Sequence, residues 1–155
     1  MADEQPSIEK KIESLKDSFS RLSPEEKIQY LLKLGRSLPL LPDKLKIPTN
    51  KVAGCQSILY LASRLDDGKI IFCACADALL SAGLAALLIS VYSDELPQTI
   101  LNTPPNFLVD CGILSTLTPS RSNGLAHIHQ RMKADALKFL VSSKMSGTQS
   151  SVILK

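Results

Sequence analysis

Ile58-Leu59-Tyr60-Leu61, then Asp66-Asp67-Gly68, then Lys69-Ile70-Ile71-Phe72-Cys73-Ala74-Cys75 form the stretch that decides the fold. Two runs rich in β-branched and aromatic residues flank a short polar turn, and Gly68 supplies the positive φ such a turn needs. This is a β-hairpin. Strand signals begin earlier, near Val52, so about three antiparallel strands are expected in the middle of the chain. Both sides of this centre read as helix. Ile8, Ile12, Leu15 and Phe19 recur at helical spacing. Ser23-Pro24-Glu25-Glu26 then combines an N-cap, a Pro at the first helical position and acidic residues in the first turn. Ile28, Leu31, Leu32 and Leu34 follow on that second helix; Gly35 is placed to end it, and Pro39 with Pro42 keeps it from resuming.

After the hairpin, Ala78 to Tyr92 is apolar nearly all round, as a buried helix is. Gly83 inside it costs about 1 kcal/mol against Ala, and close packing of the helix on the sheet would explain it. A short helix is expected over Pro97 to Leu101. Another follows Pro104-Pro105, with Phe107, Leu108, Cys111 and Leu114 on one face. The last starts near Ser122 and reaches about Val141, with Leu125, Ile128, Met132, Ala136 and Phe139 in register. Helices, a small antiparallel sheet, then helices make an α+β fold with helices packed on one face of the sheet. The 155 residues form a single domain with its core over about 8–141. Residues 1–6 and the Ser-rich 142–155 are expected to be mobile.

Composition excludes several classes of function. A net charge of +3, from 18 basic and 15 acidic residues without clustering, is too mild for a nucleic-acid binder. Aromatic content of 5% without Trp leaves no stacking platform for single strands. The longest apolar run, Ala78 to Tyr92, falls short of the roughly 20 residues a bilayer span takes, so no membrane role is expected. The polar start, Met1 to Lys11, lacks the apolar core of a signal peptide and the Arg-rich character of a transit peptide. A cytoplasmic, reducing setting follows, with Cys55, Cys73, Cys75 and Cys111 as thiols.

Gly54-Cys55-Gln56-Ser57 is the foremost site for chemistry. The thiol sits at a turn leading into a strand, after a loop holding Pro48 and Asn50. Gly54 permits a bent or exposed backbone, and Gln56 and Ser57 can donate hydrogen bonds. A reactive cysteine needs surroundings that favour the thiolate; the alternative is a small buried packing residue. The second constellation is Thr118-Pro119-Ser120-Arg121-Ser122-Asn123-Gly124, at the start of the last helix. That end of a helix disfavours a cation, so Arg121 needs another partner. An anion site built from Arg121, Asn123 and backbone N–H groups is one possibility, and an ion pair joining loop and core is the other. No glycine spacing of a phosphate-binding or dinucleotide loop is present.

Other chemistry-bearing residues say less. Cys73 and Cys75 are two apart and share one strand face, which is not the Cys-x-x-Cys spacing of redox or zinc sites. Cys111 falls on the apolar side of its helix. His127 and His129, two apart on a helix, point different ways and are assigned to the surface. Residues 42–51, with Lys44, Lys46 and Lys51, form either a solvated connector or a rim that meets an acidic partner.

Taken together, the chain resembles the SufE family of sulfur-acceptor proteins. The resemblance lies in Val52-Ala53-Gly54-Cys55-Gln56-Ser57, Asp66-Asp67-Gly68, Ala76-Asp77-Ala78 leading to Gly83-Leu84-Ala85-Ala86-Leu87-Leu88, Val91-Tyr92-Ser93, and Leu117-Thr118-Pro119-Ser120-Arg121-Ser122-Asn123-Gly124-Leu125. These blocks span roughly residues 20–140 in order. The resemblance implies the fold shared with IscU-type scaffolds, and a partner of a pyridoxal-phosphate cysteine desulfurase of SufS or CsdA type. Such a protein takes persulfide sulfur onto its cysteine, stimulates the desulfurase and passes sulfur to an iron–sulfur assembly complex of SufBCD type. It is an accessory of sulfur transfer rather than a stand-alone enzyme. It has no cofactor of its own, since the pyridoxal phosphate belongs to the desulfurase, and no metal.

The family cysteine matches Cys55 and the family arginine matches Arg121. Gly54, Gln56, Ser57 and Asn123 are the supporting residues of the Cys55 loop and its neighbour, and Asp77 is assigned to partner binding. The transfer is a relative of thiol–disulfide exchange. Cys55 is expected at a loop tip, sheltered at rest and swung out in the complex, with Gly54 allowing the movement. Arg121 either stabilises thiolate or persulfide charge or ties the loop to the last helix.

Cys73 and Cys75 depart from the family pattern, where polar residues are expected, and raise additional sulfur carriage or metal binding. One rival reading is therefore an IscU-like scaffold holding an iron–sulfur cluster or zinc through Cys55 with Cys73 and Cys75, if the strands align them. The other rival is an adaptor that binds a desulfurase without accepting sulfur.

Overall fold

The computed structural model describes residues 7–154, with side chains through residue 143. The described residues form six helices and a two-stranded antiparallel sheet, on which the third and sixth helices pack. Helix α1 spans Ile8–Phe19 and α2 spans Pro24–Arg36. Two short 3-10 turns, Asp43–Leu45 and Pro48–Asn50, lead to β1, Leu59–Asp66, and β2, Lys69–Ala76. Helix α3, Leu79–Tyr92, is followed by α4, Pro97–Leu101, α5, Phe107–Asp110, and the long α6, Pro119–Leu154. The α+β architecture expected from the sequence is present.

The hairpin forms as its residues dictate. Asp66 pairs with Lys69 across the turn, and Asp67 and Gly68 both hold positive φ, 52° and 79°. Two positive φ values are what a two-residue turn matched to the strand twist requires. The expected third strand does not form. Lys51 makes one bridge to Tyr60, and the Val52 N–H donates to Leu59 O at 2.9 Å. Gly54, at φ 86°, then turns the chain out of the sheet plane, and pairing ends after that single bridge. The sheet therefore has two strands, with a loop over residues 53–58 folded back on its edge.

Helix α3 is the centre of the core. It touches α1, α2, α6 and β2, and Leu84, Ala85, Leu87, Leu88, Val91 and Tyr92 on it are buried. Ile70, Phe72 and Ala74 are buried on one face of β2, while Cys73 and Cys75 lie half-buried on the other. That alternation is the two-residue period of a strand. Two sequence expectations about glycine are corrected here. Gly35 does not end α2; it lies inside the helix and is buried. Gly83 packs not on the sheet but on α2, where a Cβ would collide with the Leu31 carbonyl. Across the same crossing a Cβ at Gly35 would stand 2.6 Å from Leu79 O and 2.8 Å from Gly83 N. Each glycine removes the side chain that would hold the two helix backbones apart.

Helix α5 is shorter than expected. It ends at Asp110, Cys111 caps it, and Gly112 reverses the chain with φ 70°. Phe107, Leu108 and Cys111 are buried as expected, but Leu114 lies beyond the turn and is exposed. Helix α6 begins at Pro119, ahead of Ser122. Leu125, Ile128, Met132 and Ala136 line its buried stripe, with Phe139 packed partly against the core. The expected end near Val141 is overrun, since helical backbone continues to Leu154. The expected mobile stretch 1–6 lies outside the described residues, as do the side chains of 144–155. Among the described residues, no helix is long and apolar enough to cross a membrane.

Candidate functional site

Cys55 lies near the tip of the loop that Gly54 opens. Its thiol is half-buried and donates to the backbone carbonyl of Gly124 at 3.9 Å, a long contact to the second turn of α6. Beside it is a cavity of about 10 Å³, walled by Gln56, Leu59, Ser81, Leu84, Ser120, Arg121, Gly124 and Ile128. That is room for roughly one water-sized group. Burial pushes the Cys55 thiol pKa up from its ordinary value. Burial thus disfavours the thiolate, the form that acts as nucleophile.

Arg121 lies in the first turn of α6, where Thr118 Oγ1 accepts its backbone N–H at 3.3 Å. Its guanidinium crosses to α3 and donates to Ser81 Oγ at 3.0 Å. Ser57, on the Cys55 loop, donates to the same oxygen at 2.6 Å. One buried hydroxyl thus joins the loop, α3 and α6. The partner that the position of Arg121 demanded is a neutral side chain rather than the carboxylate of an ion pair. Sequence reasoning passed over Ser81, although a signal was available. A serine within a helix that is apolar all round is buried, and a buried hydroxyl requires a partner.

The remaining predicted residues divide. Gln56 is exposed at the mouth of the cavity and Ser57 is half-buried behind it. Asn123 is exposed on α6 and does not line the cavity, so the anion site imagined from Arg121 with Asn123 is not assembled. Asp77 is exposed at the foot of the loop, where its Oδ1 accepts the Ile58 N–H at 3.0 Å and its own N–H donates to Ile58 O at 3.0 Å. It closes the base of the loop. Cys73 and Cys75 do not join Cys55. Among the described residues, no group of three or more His, Cys, Asp or Glu side chains could hold a metal ion. Cys73 contacts the Ala62 carbonyl at 3.8 Å, and burial outweighs nearby Arg64 in raising its pKa.

Both histidines depart from their surface assignment. His127 is half-buried, with its ring seated under Gly54. His129 is buried against the Tyr92 ring, centroids 5.2 Å apart, and its Nε2 has no hydrogen-bond partner among the described residues. Desolvation, with the charge of Lys133 adding, lowers its pKa to about 4.

Residues 13–136 match the model of the SufE family, the Fe-S metabolism associated domain. The chain belongs to the SufE family. An uncharacterized SufE-like protein of Synechocystis is 37% identical over 116 residues, covering 75% of this chain and 73% of that protein. A protein of Plasmodium falciparum named cysteine desulfuration protein SufE is 34% identical over 116 residues, covering 72% of this chain. The match spans 47% of that longer protein. Among solved structures, a hypothetical protein from Thermus thermophilus superposes with a TM-score of 0.72 at 26% identity, covering 84% of this chain and 96% of that one. The SufE-family match takes in the Cys55 loop, Ser81 and the first turn of α6, so the whole constellation lies inside the matched domain.

Proposed function

We propose that this SufE-family chain is a sulfur carrier that accepts persulfide sulfur from a pyridoxal-phosphate cysteine desulfurase onto Cys55, stimulating that enzyme and delivering the sulfur to iron–sulfur cluster assembly. The observation that carries it is the half-buried Cys55 thiol beside a water-sized cavity walled by Arg121 and Ser81. A sheltered thiol whose anion is disfavoured by burial reacts slowly with passing oxidants or disulfides. Swung out of shelter, it escapes the burial that disfavours the anion, and the thiolate fraction, which gives its proton to solvent, rises. The thiolate attacks the outer sulfur of the desulfurase persulfide. A bond forms between Cys55 Sγ and that sulfur, the donor S–S bond breaks, and the donor leaves as a thiolate. The single sulfur moves with no net oxidation. The loaded Cys55 then carries a persulfide anion. On return to the cavity its charge is stabilised by the Arg121 guanidinium, and its exposure to reductants and oxidants falls. This chemistry needs no cofactor on the carrier.

The test is to mix the protein with a SufS- or CsdA-type desulfurase and cysteine, then weigh it intact and map the peptide. The expected result is one added sulfur atom on Cys55, none in Cys55→Ser, and loss of stimulation in that variant. An Arg121→Ala protein is expected to dock but to load sulfur about tenfold more slowly, the order of one lost charge-assisted contact. Sulfur found on Cys73 or Cys75 instead, or full stimulation by Cys55→Ser, overturns the proposal.

A further inference from the structure

Gly54 is held at φ 86° directly over the imidazole of His127. A Cβ at Gly54 would stand 2.5 Å from Nε2, 2.6 Å from Cδ2 and 2.7 Å from Cε1 of that ring. The ring occupies the space that any other residue's side chain would need. His127 lies one turn of α6 beyond Gly124, whose carbonyl accepts the Cys55 thiol. Two successive turns of one helix therefore hold two successive loop residues, Gly124 on Cys55 and His127 on Gly54. The loop is also held from its far side, where Ser57 bonds Ser81. The Gly54 contact is one of packing. A seated ring contributes many weak dispersion contacts and no bond that must be broken. It can be lost by rotation of the His127 side chain, with the backbone of α6 unchanged.

We propose that His127 is the latch of the Cys55 loop: a positioning residue whose ring, seated on Gly54, keeps Cys55 sheltered until the loop is displaced. The proposal rests on the reading of Cys55 as the sulfur carrier and adds how its exposure is controlled. His127 does not touch the transferred sulfur. With the latch removed, the loop opens more often. Cys55 then becomes reactive in the free protein, and a stored persulfide is lost sooner to reductant.

The experiment is a double-mutant cycle on Gly54 and His127, read as the alkylation rate of each cysteine by iodoacetamide and peptide mass mapping. His127→Ala is expected to speed Cys55 alkylation about fivefold, and Gly54→Ala about 25-fold, because its methyl evicts the ring and adds the strain of positive φ. In the His127→Ala background, adding Gly54→Ala is expected to change the rate by only about fivefold, since the collision is gone and only the strain at positive φ, common to both arms, remains. Buried Cys111 is the internal control. A merely destabilising change speeds Cys111 and Cys55 together, and that result overturns the latch. So does an unchanged Cys55 rate in folded His127→Ala, or strictly additive effects. Sulfur loading of the same four proteins is measured in parallel. Failure of the wild type to load sulfur overturns the carrier reading, whereas the alkylation cycle judges the latch by itself.

Discussion

His129 is buried with an Nε2 that has no hydrogen-bond partner among the described residues, and its protonation couples folding to acid. Its pKa is about 4 in the native state against an ordinary 6.5. The unfolded chain therefore binds the proton more readily, so stability is complete above pH 6.5 and is lost as pH falls toward 4. The loss from this one residue reaches about 2 kcal/mol at pH 5. Thermal unfolding at pH 7.5 and pH 5 should show a drop for the native protein. In His129→Leu, which keeps the apolar contact with Tyr92, the drop should be distinctly smaller; an equal drop in both would place the acid response elsewhere. His129 was open to recognition in the sequence, because it stands four residues after Leu125 and three before Met132, on the stripe that α6 buries. A two-residue separation from His127 concealed this, since the pair was judged by mutual spacing rather than against the apolar register. Cys55 and Arg121 were legible because their local motifs are distinctive. His127 and Ser81 were not, because their partners, Gly54, Ser57 and Arg121, are supplied only by the tertiary fold.

At the scale of elements, the α2–α3 crossing depends on two glycines meeting. Gly83→Ala sets a methyl group against the Leu31 carbonyl, with Gly35 of α2 close beside it. Neither backbone can yield without parting the helices, so a loss of about 3 kcal/mol is expected. Gly68→Ala serves as the contrast. Its added Cβ meets nothing within 4 Å, and only the strain of φ 79° remains, about 1 kcal/mol. Urea midpoints of the two variants check the ranking, and equal losses would mean that the crossing relaxes. The hairpin was readable because its turn chemistry is local. The glycines of the crossing were assigned to a helix stop and to the sheet, since periodicity marks a glycine as unusual but does not name the surface that approaches it.

Across the whole molecule, α6 is bound to the sheet by a polar cluster that periodicity does not reveal. Arg131 Nε donates to Asp135 Oδ1 at 3.0 Å, Ser63 Oγ donates to Asp135 Oδ2 at 2.8 Å, and Arg131 also reaches the Asn50 side chain at 3.4 Å. Asp135 is buried. Asp135→Ala removes the acceptor of Ser63 and the carboxylate partner of Arg131 and is expected to cost about 3 kcal/mol. Asp43→Ala removes a carboxylate that is 96% exposed and should cost less than about 0.5 kcal/mol. Chemical denaturation of both tests whether α6 docks through this cluster. The same rigid frame fixes the feet of the Cys55 loop, with Val52 bonded to Leu59 and Ile58 bonded to Asp77. With both ends stapled to the sheet edge, the tip of a loop over residues 53–58 reaches no farther than about 10 Å, at some 3.5 Å per extended residue. Such a short tether cannot ferry cargo between distant centres. On the proposed carrier reading, donor and recipient must each bring their own sulfur site to this edge of the sheet, so handover requires successive encounters at one shared berth, and two partners of that kind exclude one another.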